Sequence, residues 1–160
     1  MQQAYPVILT KDGDNIIAEF PDVPEAMTVG SNKDNALEWA QDALVVALSG
    51  YVDEKRDIPK PSKQKASQKT VVLPPLIASK LAIYQAMRDQ GVNQSDLADK
   101  LHCDTRQIRR LLDIDHHSRM DLIDDALHEL GKKLVVDIQP LVMFKRESKK
   151  EQQGPSIERP

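Results

Sequence analysis

Residues 92–112 read VNQSDLADKLHCDTRQIRRLL, and their spacing predicts two short helices joined by a tight turn. Asn93 can cap the first, Ser95 and Asp96 favour its positive end, and Leu97, Ala98 and Leu101 recur at helical spacing on one face. Asp104 can cap the second. Ile108, Leu111 and Leu112 then turn inward, which leaves Thr105, Arg106, Gln107, Arg109 and Arg110 outward. A cationic, amide-bearing helix surface of this kind suits a DNA groove, where Arg reads guanine edges and Gln reads adenine edges.

The same stretch resembles the helix-turn-helix of phage-repressor-type DNA-binding domains. Gln94, Leu97 and Ala98 match its Gln-x-x-Leu-Ala element, and Ile108 and Leu111 match the Ile-x-x-Leu that follows the turn. Two positions depart from the pattern: His102 stands where such turns carry Gly, and Leu112 where a Glu closes the recognition helix. If the turn requires a positive φ at His102, the geometry is possible at a small energetic cost, because His is among the non-Gly residues enriched there. The resemblance places Thr105, Arg106 and Arg110 at base edges, and Gln94, Gln107 and Arg109 at phosphates or sugar.

Working outward, Pro74-Pro75 marks the start of a supporting helix with Leu76, Ile77, Leu81, Ile83, Tyr84 and Met87 on its apolar face and Gly91 as its C-cap. Asp113 to Ser118 reads as a loop. Arg119 to Leu130 reads as another helix, with Leu122, Ile123, Ala126, Leu127 and Leu130 inward and Gly131 at its end. Lys132 to Ile138 has strand composition and is stopped by Pro140. A lone strand after a helical domain can satisfy its edges against the same strand of a second chain, and a twofold dimer suits paired half-sites on DNA. Leu141 to Phe144 could extend that contact. Residues 145–160 are polar and expected to be disordered.

Toward the N-terminus, Ala4 to Thr10 and Ile16 to Phe20 form two strands around a Lys11-Asp12-Gly13-Asp14-Asn15 turn. Pro21 and Pro24 interrupt them, and Ala26 to Gly30 is a third short strand. Ser31 opens a long helix by a capping-box spacing to Asp34, with Leu37, Ala40, Leu44, Ala47, Leu48 and Tyr51 as its stripe toward the sheet. Trp39, with Ala43 and Val46, lies to one side. It is either a protein contact or a cover for the sheet edge. Residues 59–69 have the composition of a linker or mobile loop. Thr70 to Leu73 is β-prone, and pairing it with the first sheet makes the long helix a crossover.

Charge is divided unevenly. Residues 1–58 hold four basic against eleven acidic side chains, a net of −7 within a chain total of −3, so the remainder carries +4. The acidic half repels nucleic acid and attracts a basic partner, while the rest has the sign DNA binding needs. With 40% hydrophobic and 29% charged residues the composition is globular, no apolar run approaches a membrane span, and a cytoplasmic location is expected. Cys103 is the single cysteine, which fits a reducing compartment. The site assignment includes no catalytic residue, metal or cofactor. Asp12, Asp14, Glu19 and Asp22 are clustered but most belong to a turn, and His102, Cys103, His116 and His117 lack finger spacing.

Phe20-Pro21-Asp22-Val23-Pro24, followed by Thr28, Gly30 and a helix with Ala36-Leu37 and Ala40, resembles the HicB antitoxin family. The second half resembles the branch of that family ending in a helix-turn-helix. Glu25 and Ala26 stand where the family often has Gly-Cys. The resemblance implies an α+β chain: an N-terminal partial ribonuclease-H-like ββ-β-α-β unit over residues 1–73, then an all-α helix-turn-helix and dimerising domain over 74–144. It further implies a partner, a small basic RNA-cleaving toxin of the HicA type, alongside double-stranded operator DNA and a homodimer or higher oligomer. Phe20, Asp22, Glu25 and Trp39 are the residues assigned to the toxin. The rival reading is a free-standing regulator whose N-terminal domain senses a small ligand.

Overall fold

A computed structural model describes residues 3–141 of the 160. The chain begins with a two-stranded hairpin, β1 (Ala4–Asp12) and β2 (Asn15–Glu19), in which Asp12 faces Asn15. Gly13 takes φ +58 at the first central position of this two-residue loop, a place that favours glycine. Pro21 to Ala26 then folds into two successive turns, closed by Val23 N–H donating to Phe20 O and Ala26 N–H to Val23 O. Strand β3 (Met27–Gly30) pairs antiparallel with β2.

Helix α1 (Lys33–Asp53) crosses one face of this sheet and buries Ala36, Ala40, Leu44, Leu48 and Tyr51. Its cap is one residue later than the capping-box spacing indicated. Asn32 accepts the Asn35 N–H at 2.8 Å, and the Asn35 side chain in turn accepts from Ser31 N–H at 3.2 Å. Asn32 wins because its amide oxygen reaches the third helical N–H while its own backbone stays extended. Gly30 is required at the entry to α1: a Cβ there would lie 2.4 Å from the Ala36 backbone nitrogen.

Strand β4 (Lys69–Val72) joins the sheet beside β1, giving the order β3-β2-β1-β4. The expected pairing of this segment is present. Every neighbouring pair is antiparallel, however, so the handedness rule for parallel crossovers does not govern the α1 connection. Residues 59–69 are tied down at several points: Pro59 O accepts from the Tyr5 hydroxyl at 2.7 Å, and Ser62 donates through its N–H and hydroxyl to Asp22.

Four helices follow: α2 (Pro75–Gln90), α3 (Gln94–Leu101), α4 (Thr105–Leu112) and α5 (Met120–Glu129). The described residues form two apolar cores. The first lies between sheet and α1, and the second among α2, α3, α4 and α5. Helix α2 belongs to both, because Leu81 is buried in the first and Ile83, Ala86 and Met87 in the second. Ile114, just beyond α4, is also buried in the first. Tyr84 donates to Arg56 O at 2.9 Å, Gln85 accepts from Ile58 N–H at 2.7 Å, and Arg88 pairs with Asp57.

Lys132 to Ile138 was expected to be a strand and is not one in the single chain. Val135, Val136 and Ile138 are exposed, and a strand whose edges meet no partner has no ladder to hold it. Residues 142–144 of the proposed extension, and the tail 145–160, lie outside the described residues.

Candidate nucleic-acid interface

Helices α3 and α4 are held by three terminal devices. At the start of α3, Asn93 accepts from Asp96 N–H at 2.8 Å and the Asp96 carboxylate accepts from Asn93 N–H at 3.1 Å, which satisfies two orphan donors at once. At its end His102 takes φ +51, and the next residue, Cys103, donates its N–H to Ala98 O. His102 thus takes the left-handed conformation in the place where such turns carry Gly, and Asp104 caps α4 by accepting from Gln107 N–H at 2.9 Å. Cys103 is half-buried against the second core, and burial pushes its thiol pKa up.

With Ile108 and Leu111 wholly buried, α4 is fixed in rotation. Arg106, Gln107, Arg109 and Arg110 are exposed, Thr105 is half-buried, and Gln94 is exposed at the start of α3. Among the described residues no ion pair involves Arg106, Arg109 or Arg110. Three guanidinium groups therefore face solvent without a neutralising carboxylate in contact, which is what counterion release on a phosphate backbone requires. The polar residues of the α3–α4 pair flank two clefts. Gln94 and Arg109 line a cleft of about 370 Å³ with Ser49 and Asp53 of α1, whereas Gln107 and Arg110 line another of about 380 Å³ with His116, His117 and Asp121.

One residue of this site was missed by the sequence reading. Lys80 of α2 is 1% exposed, and its ammonium donates to Arg110 O at 2.9 Å, Asp113 O at 2.7 Å and the Ser118 hydroxyl at 2.8 Å. It therefore satisfies carbonyls at the C-terminal end of α4 and seats the loop that follows. Burial lowers its pKa, against a smaller raising effect of Asp113. The sequence carries only a partial signal, a lysine within the apolar stripe of Leu76, Lys80, Ile83 and Met87, which does not by itself say that it is buried.

The four N-terminal residues assigned to a partner differ in exposure and in the contacts they make. Phe20 is buried in the first core, where it packs and presents nothing outward. Asp22 is occupied by Ser62. Glu25 accepts from the Tyr51 hydroxyl at 2.8 Å and pairs with Arg56 at 3.2 Å, contacts that hold its carboxyl below the usual range. The Arg56 guanidinium also stacks 3.9 Å over the Tyr51 ring. Trp39 is half exposed on the outer flank of α1, near the exposed Val46. A feature the sequence reading did not single out is the sheet face opposite α1, where Ile8, Met27, Val29 and Val72 are exposed.

Among the described residues no three His, Cys, Asp or Glu side chains form a group able to hold a metal ion, and no helix is long and apolar enough to cross a membrane.

Residues 4–82 match the model of a family described as HicB-like antitoxin of bacterial toxin-antitoxin systems. Antitoxin HicB 2 of Photorhabdus laumondii is 36% identical over 130 residues, covering 81% of this chain and 92% of the relative. Antitoxin HicB of Escherichia coli K12 is 32% identical over 131 residues, covering 81% and 95%. Antitoxin HicB of Pseudomonas fluorescens is 33% identical over 119 residues, covering 74% and 82%. Alignments of this length cannot be confined to residues 4–82 and run on into the helical half.

Proposed function

Because the chain belongs to the HicB antitoxin family, we propose that it masks a small basic RNA-cleaving toxin of the HicA type and represses its own operon by binding operator DNA in the cytoplasm. The N-terminal unit, a partial ribonuclease-H-like fold on this reading, is the toxin-binding part. Its −7 charge over residues 1–58 attracts a cationic partner and raises the rate and specificity of encounter. The α3–α4 pair is a helix-turn-helix, with α4 as its recognition helix.

The observation that carries the DNA-binding half is the set of three exposed arginines, without an ion-pair partner among the described residues, on an α4 whose Ile108 and Leu111 are fully buried. Thr105, Arg106 and Arg110 take base edges; Gln94, Gln107 and Arg109 take phosphate or sugar. The exposed apolar residues of Lys132 to Ile138 support a second role, pairing with the same segment of another copy so that two α4 helices meet successive half-sites.

The test is operator binding by gel shift or fluorescence anisotropy with the DNA upstream of the gene. Arg106→Ala should weaken specific binding by about 1–3 kcal/mol and relax preference at one base position. Retention of wild-type affinity and preference in that variant would sink the recognition-helix assignment.

A further inference from the structure

An antiparallel sheet with one solvated face ordinarily alternates apolar residues toward the core with polar residues outward. This sheet breaks that rule. The register places Ile8, Thr10 and Asp12 of β1, Ile17 and Glu19 of β2, Met27 and Val29 of β3, and Val72 of β4 on the face away from α1. Ile17 lies between Thr10 and Val29, while Glu19 lies between Ile8 and Met27. Met27 is 58% exposed, Ile8 46% and Val29 43%. These are contiguous across strands rather than scattered, and contiguous exposed apolar surface marks a site of association.

The charges on that face have one sign. Asp12 and Glu19 belong to it, whereas Lys11, opposite Ile16, and Lys69, opposite Val7, belong to the core side of the register. An apolar centre with carboxylates and no cation on the same face fits a partner that brings an apolar patch flanked by lysine or arginine. It fits a second copy poorly, since two such faces would set carboxylate against carboxylate.

We propose that the open face of the sheet, centred on Ile17, Met27 and Val29, is where the basic toxin docks, rather than the Trp39 flank of α1. This rests on the reading of the chain as an antitoxin. It adds the location of the toxin and the chemistry of the toxin's contact surface: apolar at its centre and cationic around it.

The experiment uses the full chain co-expressed with the product of the adjoining gene, with affinity measured by calorimetry on purified partners and growth rescue scored in cells. Val29→Glu keeps the sign that attracts a basic partner but spoils the apolar contact; Met27→Ala trims the contact without adding charge. Val29→Glu should weaken toxin binding at least about 30-fold and abolish rescue, and Met27→Ala should weaken it about 5-fold or more, as central interface positions do. Both should leave the melting curve and operator binding near wild type. Toxin affinity within threefold of wild type in both variants overturns the assignment, as does its loss in Trp39→Ala alone. A change in oligomeric state by light scattering with toxin binding intact identifies the face as a self-association surface and likewise overturns it. A wild-type chain that captures no neighbouring product refutes the antitoxin partner reading itself, a failure distinct from wild-type capture that survives both substitutions.

Discussion

Replacing Lys80 with Met keeps the bulk of the buried side chain and removes only its ammonium. That group makes three hydrogen bonds of 2.7–2.9 Å, two of them to carbonyls at and just beyond the C-terminal end of α4. Bonds from a charged donor contribute about 1.5–3 kcal/mol each, and the desolvation of a buried ion, several kcal/mol, offsets much of their sum. In Lys80→Met each carbonyl keeps one backbone donor, Asp113 N–H on Arg110 O at 3.3 Å and His116 N–H on Asp113 O at 3.2 Å, so the loss is that of a second bond to each and of the Ser118 contact. The net loss expected is about 1–3 kcal/mol, or a melting midpoint lower by roughly 3–10 °C. Urea unfolding followed by circular dichroism measures it, and hydrogen exchange at Ile114 to Ser118 should accelerate first. The pH dependence supplies a second check. Burial lowers the folded pKa of Lys80, so its ammonium is penalised in the native state at neutral pH, and that penalty lifts as the pH rises toward the ordinary lysine value of 10.5. Wild type should therefore gain on Lys80→Met through this alkaline approach. A variant as stable as wild type at pH 7, with unchanged exchange in the loop, would refute the view of Lys80 as the clasp of α4.

Gly30→Ala should destabilise by about 1–3 kcal/mol or prevent folding of the N-terminal unit, because the new Cβ meets backbone atoms of Ala36 that cannot swing aside; thermal melts decide this. His102→Gly should stabilise by about 0.5–1 kcal/mol, since glycine occupies φ +51 without the strain of a side chain, and a lower denaturation midpoint would contradict it. Burial, and secondarily Asp22, raises the Tyr5 hydroxyl from 10.0 to about 12. The unfolded chain then loses this proton first, so stability held below pH 10 should fall between pH 10 and 12, and Tyr5→Phe should flatten that part of a pH titration of stability.

Much of the architecture was legible because local signals agreed with tertiary ones. Asn93, Asp104, His102 and Gly91 each have the side chain or backbone freedom that their helix terminus demands, and all four occupy the expected positions. The hairpin around Gly13 and the pairing of residues 70–72 followed from turn chemistry and β-branched content. What stayed hidden depends on partners distant in sequence. Lys80 finds its acceptors 30 to 38 residues away, and a stripe pattern alone could not say whether a lysine there was buried or solvated. Asp22 and Glu25 looked like free carboxylates, yet each is taken by a contact about 26 to 40 residues along the chain. Phe20 was assigned from its motif to a toxin contact, whereas the alternation of β2 continues through it and sends it inward with Ala18.

The two apolar cores share α2, with Leu81 committed to one and Ile83, only two residues on, to the other. A cut between residues 73 and 74 would strip Leu81 and Ile114 of their neighbours and leave greasy scars on both products. Neither half is thus a detachable module to be assayed alone. The same helix joins the two layers physically: Lys80 on it holds carbonyls at the end of α4, and Arg88 near its other end is tied to Asp57.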